Sequence, residues 1–407
     1  MARSIFSRIK DKTDTMAAYL PYESVYYESI ADCYKYVRQG MVVLFAFVVL
    51  LIILLCHKEL QPENFRYLFK YIDVDPVAIS ANYNDIYYNT NDNTVFTFYK
   101  GDLAIIGDGR IKLYNIAGNN ILDEKLETEN AMCSSDGKYL VMYYPGEKSI
   151  SVFNSFSKLY SIEYDYPVMY ASAGSNGSFS VVTRDENYRS TVYIYNSSFK
   201  SAYTWRSNEK YAVSAAISPN GKNAAVLTYI QNEGTFLREI TVRNISKDKQ
   251  ILSSSSEGSM PLKVGFFEDD CMYIVNSDGV EFYNKDFEKT TSVSFESELQ
   301  FYNTFSDGAV FITGKNKSDT TVHYFDSKGN KKLTENFQET VLDAKIIDDI
   351  IYLLTDTEIY RFSNGAIAKA KIEGGAEAMF LFNDGNVMVC YETQTNLIKE
   401  SDFKKIN

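Results

Sequence analysis

The chain has 407 residues and a formal net charge of -12, from 41 basic and 53 acidic side chains. Six basic and five acidic side chains fall in the first 56 residues, so the remainder sums to -13, a balance that disfavours nucleic acid and anionic lipid as partners of the larger part. The 45% apolar content, with 33 Tyr and 26 Phe against 1 Trp and 7 Pro, excludes disorder for most of the chain and favours half-buried strands.

Residues 1–39 read as a cytoplasmic tail. Tyr19, Tyr22, Tyr26, Tyr27, Tyr34 and Tyr36 crowd it, which suits an interfacial helix from about Tyr22 to Arg38. A docking or tyrosine-phosphorylation segment is the sharper alternative.

Residues 40–57 are expected to cross the membrane. From Gly40 to Cys56 no charge occurs, and at about 1.5 Å per residue the run spans roughly 25 Å, the short end of a bilayer core. Arg38 and Lys58 can snorkel at its edges. A cleaved signal peptide would have an abnormally long charged leader, and no Ala-x-Ala-like site follows the apolar run. Lys35 and Arg38 precede the segment, whereas Glu59 and Glu63 offset Lys58 behind it. The positive-inside bias therefore places the N-terminus in the cytoplasm and the rest outside. Residues 58–76 read as a juxtamembrane helix and linker, opened by Pro62 and Glu63, with Phe65, Leu68, Phe69 and Ile72 on one face.

Residues 77–407 show self-similarity with a period of about 40 residues. Turn-forming pairs recur at Lys100-Gly101, Asp136-Gly137, Asn176-Gly177, Asn220-Gly221, Asp269-Asp270, Asp307-Gly308, Asp348-Asp349 and Asp384-Gly385. Each separates two apolar strands, and two-residue hairpin turns favour Asn, Asp and Gly because their backbone needs positive φ. A second marker ends the third strand of six units: Leu113-Tyr114-Asn115, Val152-Phe153-Asn154, Ile194-Tyr195-Asn196, Val242-Arg243-Asn244, Phe282-Tyr283-Asn284 and Tyr324-Phe325-Asp326. A fourth strand follows, as at Lys158 to Tyr164 and Lys331 to Glu335. The expected fold is all-β: a β-propeller of eight four-stranded blades, with seven as the alternative, preceded by one transmembrane helix. The eighth unit has only three strands, and the spare stretch Val77 to Tyr88 is expected to close it.

Ile217-Ser218-Pro219-Asn220-Gly221-Lys222 and, more loosely, Cys133-Ser134-Ser135-Asp136-Gly137-Lys138 resemble the Ser-Pro-Asp-Gly-Lys hairpin of WD-repeat-like propellers, including the Tol type. The layout is also similar to uncharacterised membrane-anchored propellers of clostridia-like bacteria. The resemblance implies blade geometry and no activity. No Trp-Asp dipeptide occurs, and one Trp cannot supply the repeated docking pattern of quinone-dependent propellers.

Catalytic chemistry has little to draw on. His57 and His323 are the only histidines, zinc-ligand spacing is absent, and Asp73-Val74-Asp75, Asp269-Asp270 and Asp348-Asp349 read as linker or turn acids rather than calcium loops. Glu373-Gly374-Gly375-Ala376 lacks the Lys-Ser/Thr of a phosphate loop. The five cysteines show no framework spacing, and Cys133, Cys271 and Cys390 sit in apolar strand patterns as small buried hydrophobes. No catalytic, metal or cofactor residue is expected, and no cofactor.

The expected role is non-catalytic: an extracytoplasmic scaffold or sensor for a protein or cell-envelope ligand. A propeller hydrolase acting on an envelope glycan, built on two carboxylates, is the alternative. Longer connections fall on the face away from the Asp-Gly hairpins, at 184–190, 206–211, 229–236, 253–261 and 314–320, where binding usually resides. Arg184, Tyr188, Arg189, Trp205 and Arg206 of the third blade are the candidate partner residues, since Arg and aromatic side chains concentrate binding energy. Blade packing is the ordinary role for Trp205.

Overall fold

The computed structural model describes residues 24–55, 83–90 and 94–406, apart from 136, 137, 156, 233, 234, 317 and 364. The chain divides into two compact units, 1–72 and 73–407. In the first, among the described residues, one helix runs from Ser24 to Leu55 over 32 residues. The tyrosine pattern predicts a separate interfacial helix before the span. The structure joins the two, because no Pro interrupts Ser24–Leu55 and Gly40, its one glycine, lowers helix propensity by only about 1 kcal/mol. Tyr34–Leu51 is long and apolar enough to cross a membrane, and Val43, Leu44, Phe45 and Phe47 on it are exposed. Such side chains demand an apolar solvent, consistent with a single-pass anchor. The juxtamembrane segment 58–76 and residues 77–82 of the expected closing strand lie outside the described residues.

The second unit is an eight-bladed β-propeller. Among the described residues it contains six four-stranded sheets, one of three strands and one of five. Blades 1 to 8 span residues 95–125, 132–163, 168–207, 211–258, 261–294, 299–337, 341–371 and 376–398. Within each the strands are antiparallel and in sequence order. The first strand is innermost, since first strands of successive blades pack on one another, while fourth strands such as Lys158–Glu163 and Lys289–Ser294 are largely exposed.

Eight apolar clusters fill the eight seams between blades. Second and third strands are almost wholly buried, as in Phe179–Thr183 and Gly279–Tyr283, because a blade in a ring is covered on both faces. Stacked aromatics explain the Tyr and Phe excess: Phe98 lies 5.4 Å from Phe380 and Phe179 4.7 Å from Tyr195, centroid to centroid. Polar ties supplement them. Buried Asp343 on the inner strand of blade 7 accepts from Asn303 Nδ2 of blade 6 (2.9 Å) and the Met379 N–H of blade 8 (3.1 Å), with Lys345 at 3.2 Å.

The recurrent Asn or Asp after the third strand has a mechanical reason. Its side-chain oxygen accepts backbone N–H groups of the turn it opens: Asn115 from Ala117 and Asn119, Asn154 from Ser157, Asn196 from Ser198 and Lys200, Asn244 from Lys247, Asn284 from Asp286 and Glu288, and Asp326 from Lys328 and Asn330. The marker therefore specifies the turn into the outer strand.

Two expectations about loops need correction. The Asp-Gly-like pairs are not all two-residue turns. Lys100-Gly101 and Asp348-Asp349 are, each with both residues at positive φ. At Asn176-Gly177, Asn220-Gly221, Asp269-Asp270 and Asp384-Gly385 the paired strands end farther apart, and the second residue alone takes positive φ. The segments 229–236, 253–261 and 314–320 are also mostly strand rather than loop. Blade 4 carries strands Asn223–Asn232, Thr235–Asn244 and Lys249–Gly258, and blade 6 carries Gly308–Asn316 and Asp319–Asp326. Cross-strand pairing such as Ile230 with Leu237 and Gln231 with Phe236 continues the ladder past the seam, which satisfies backbone groups that a loop would leave to water.

The ring closes through residues 83–90. Tyr87 bridges Gln394 antiparallel, the Tyr88 N–H donates to Thr393 O (3.0 Å), and the Thr395 N–H donates to Ile86 O (3.0 Å). Residues 86–88 thus occupy the fourth position of the three-stranded blade 8, as the strand arithmetic predicts, but as a short contact rather than a full strand. Ile86 and Tyr88 are buried between blades 8 and 1 with Leu103, Ile105, Phe382 and Met388. The C-terminal strand Lys404–Ile406 instead becomes the fifth strand of blade 7, pairing with Ala366–Lys371.

Candidate functional site

Tight turns between first and second and between third and fourth strands occupy one face of the disc. The opposite face carries 184–189 and 208–210, which enter the third strand of blade 3 and the inner strand of blade 4. Asp185 shapes the first loop by accepting from the Asn187 N–H (2.8 Å), and Ser190 Oγ accepts from the Ala212 N–H (2.9 Å), tying blade 3 to blade 4. Ser207 Oγ accepts from the Glu209 and Lys210 N–H groups and fixes the second loop.

These loops separate the five candidates. Arg184, Arg189 and Arg206 are exposed, and Tyr188 and Trp205 are half-buried. The Arg206 guanidinium lies over the Tyr188 ring at 5.5 Å, and that of Arg189 over Tyr211 at 5.1 Å. Each cation is thereby aligned over a π face without being neutralised. Among the described residues none of the three arginines makes an ion pair, whereas neighbouring Lys210 pairs with Glu239 at 2.6 Å.

Trp205 stands apart. Alternation along Ser201–Ser207 puts it opposite Val192, while Arg206 faces Thr191. Its ring packs with Val182, Val192, Ile194, Ala215 and Val226 in the seam of blades 3 and 4, which is its ordinary packing role.

Three aromatic residues that were not singled out in the sequence extend the patch. Tyr211 stacks on Tyr229 at 5.5 Å, and Tyr229 meets Phe236 edge-on at 5.6 Å. Tyr211 and Tyr229 are direct cross-strand partners, and Phe236 is diagonal to Tyr229 across the next ladder. The signal was available only once Tyr229 and Phe236 were recognised as strand rather than loop.

Behind the patch, buried Arg238 donates to Asn276 (2.8 Å) and Glu281 (2.9 Å), and Glu281 also pairs with Lys289. Burial works against the Glu281 carboxylate, and Arg238 and Lys289 overcome it, holding its pKa below the ordinary range. This satisfied network ties blade 4 to blade 5 and offers no vacant group.

His323 contacts the hydroxyls of Thr313 (3.2 Å) and Thr334 (3.4 Å) and stacks on Phe295. Burial lowers its pKa, and among the described residues no carboxylate orients it as a relay base would require. No group of three or more His, Cys, Asp and Glu could hold a metal among the described residues. Cys133, Cys271 and Cys390 are free thiols packed in seams.

Solved structures with this fold include Sqt1 of Saccharomyces cerevisiae (TM-score 0.58, 10% identity, covering 79% of this chain and 100% of that one). BamB from Moraxella catarrhalis is also similar (0.50, 10%, 78% and 99%), as is the C-terminal WD40 domain of Sif2 (0.51, 9%, 77% and 98%). At these identities the likeness shows the propeller fold with WD40-like relatives. No curated protein matches the sequence. The family model that does match covers residues 79–399, from the segment that closes the ring to the end of the last blade, and by that match the chain belongs to the family of unknown function DUF5711.

Proposed function

We propose that the protein is a membrane-tethered, extracytoplasmic propeller that binds a protein partner through the face of blades 3 and 4. The observation that carries this reading is the trio Arg184, Arg189 and Arg206: three exposed guanidiniums without carboxylate partners among the described residues, in a unit of strongly negative sum, two of them set over aromatic rings. Such a surface suits acidic groups on a partner, with Arg donors for carboxylates and the aromatics Tyr188, Tyr211 and Phe236 for apolar contact. The apolar helix and the two Ser-Pro-Asn-Gly-Lys-like hairpins support grouping it with anchored propellers of the Tol or clostridial type.

Changing Arg189 and Arg206 together to Ala is expected to weaken capture of envelope proteins by at least about 1 kcal/mol, roughly fivefold in Kd, with an unchanged melting point. Lys158→Ala and Lys331→Ala, exposed at the other face, serve as controls and should bind as the parent does. Trp205→Ala would probe the seam instead and should lower the melting point. Equal capture by all folded variants would remove this face from consideration.

Orientation is proposed from Lys35 and Arg38 ahead of the span. Protease added to intact protoplasts should digest the propeller and leave residues 1–39 protected. The opposite protection pattern would reverse the topology.

A further inference from the structure

At the hairpin end of the central channel, on the face opposite the arginines, a cavity of about 210 Å³ is lined by the inner strands of blades 2 to 6. Hydroxyls dominate its wall: Ser134, Ser172, Ser175, Thr304 and Ser306. One cation enters it, Lys263 on the inner strand Pro261–Phe266 of blade 5.

Lys263 is half-buried. Its Nζ donates to Thr304 Oγ1 at 3.3 Å and lies 6.0 Å from the Tyr302 ring centroid. Tyr273 donates its hydroxyl to the same Thr304 oxygen at 3.0 Å. An ammonium carries three N–H donors, and Thr304 and Tyr273 can take two of them. Among the described residues Lys263 makes no ion pair, although acidic side chains outnumber basic ones in the chain. Its pKa is raised, with Tyr273 the largest cause and burial opposing it.

The local sequence builds this arrangement. Gly265 pairs with Tyr273 across the hairpin, and a Cβ at Gly265 would sit 2.1 Å from the Tyr273 hydroxyl. Only glycine lets that ring cross the inner strand and reach Thr304 beside the lysine. A charge carried into a channel and held by hydroxyls has no counter-ion among the described residues, and an anionic ligand would supply one.

We infer that this end of the channel binds the carboxylate of a small hydroxyl-bearing molecule, with Lys263 holding the charge and the serine and threonine hydroxyls holding the body. Glu268, exposed and among the residues lining the cavity, would repel a doubly charged phosphate more than a singly charged carboxylate. The site is separate from the blade 3 and 4 face and stands or falls independently of it.

The full-length protein in detergent would be titrated by calorimetry with gluconate, inorganic phosphate and uncharged sorbitol. Gluconate should bind, and the other two should bind at least about tenfold more weakly. Lys263→Met should abolish gluconate binding, and Gly265→Ala should weaken it by displacing Tyr273. A measurement that needs no variant is protection of Lys263 from an amine-acylating reagent, read by mass spectrometry, with Lys158 as the unprotected reference. Gluconate should slow acylation of Lys263 alone. Tighter phosphate binding would overturn the carboxylate assignment, equal sorbitol binding would overturn the role of charge, and no protection of Lys263 would overturn the site.

Discussion

Deleting residues 83–90 from the full chain is expected to abolish cooperative unfolding of the propeller or to make it aggregate. The segment buries Ile86 and Tyr88, and losing large buried side chains costs about 2–5 kcal/mol each. Deletion also removes the partners of the Thr395 N–H and of Thr395 Oγ1, which accepts from the Ile86 N–H (3.0 Å) and the Tyr83 hydroxyl (2.5 Å). The Tyr88 hydroxyl, which donates to Tyr391 O (2.8 Å), goes with it. The sum is comparable with the roughly 5–15 kcal/mol that stabilises a typical domain. The third strand of blade 8, Thr395–Ile398, would then be an open edge beside an uncovered apolar cluster. Urea titration followed by fluorescence and light scattering checks this, and Ile86→Ala should lower the midpoint in the same direction by less. A deletion variant with an unchanged midpoint would show that blade 8 holds without its fourth position.

Alkaline pH is expected to unfold the propeller before its buried tyrosines ionise in place. Burial pushes Tyr143 and Tyr302 up to about 12, Cys133 up to about 12 and Cys271 up to about 11. Burial raises Tyr83, Tyr88, Tyr164, Tyr283 and Tyr324 further. In the unfolded chain thiols and phenols lose their protons near about 8.5 and 10. Between those values and the raised native ones the folded state holds more protons, so stability falls as pH rises. The contribution is fully present below the unfolded values and is lost on the way up. Each group adds a slope of up to about 1.4 kcal/mol per pH unit, and several act together. Melting temperature should be flat from neutral pH to about 8.5 and then drop steeply above about 10. Tyrosinate absorbance should rise in step with unfolding. A melting temperature that holds steady through that range would mean that these rings ionise in place.

The period, the blade number and the closing segment were legible because turn chemistry repeats: an Asn or Asp whose side chain must accept backbone N–H groups of the turn leaves its mark whatever the strand residues are. The candidate arginines were legible as exposed cations in an acidic chain. Trp205 was legible as a hot-spot residue type, but its direction depends on strand register, which places it in the seam. Tyr229 and Phe236 were obscured because the polar stretch 231–234 looks like a loop, while ladder pairing carries one strand to Asn232 and starts the next at Thr235. Lys263 was illegible for a different reason. Inner strands divide their side chains between channel and seam and show no clean alternation, and the Gly265 to Tyr273 approach that shapes its surroundings exists only after the hairpin has paired. The helix Ser24–Leu55 merged two expected segments because a chemical boundary between polar and apolar residues is not a backbone boundary.

The order of the chain gives the closure a mechanical meaning. Residues 83–90 are the first described part of the propeller in chain order, so tension along the backbone from the N-terminal side reaches them before the described strands of any blade. They are fastened by one β-bridge, by backbone hydrogen bonds with Ile116, Thr393 and Thr395, by side-chain hydrogen bonds and by the burial of Ile86 and Tyr88, while the C-terminal strand Lys404–Ile406 is fastened to a different blade. A pull from the N-terminal side would therefore act on blade 8, and one from the C-terminal side on blade 7, so the two ends of the chain load different blades of the ring.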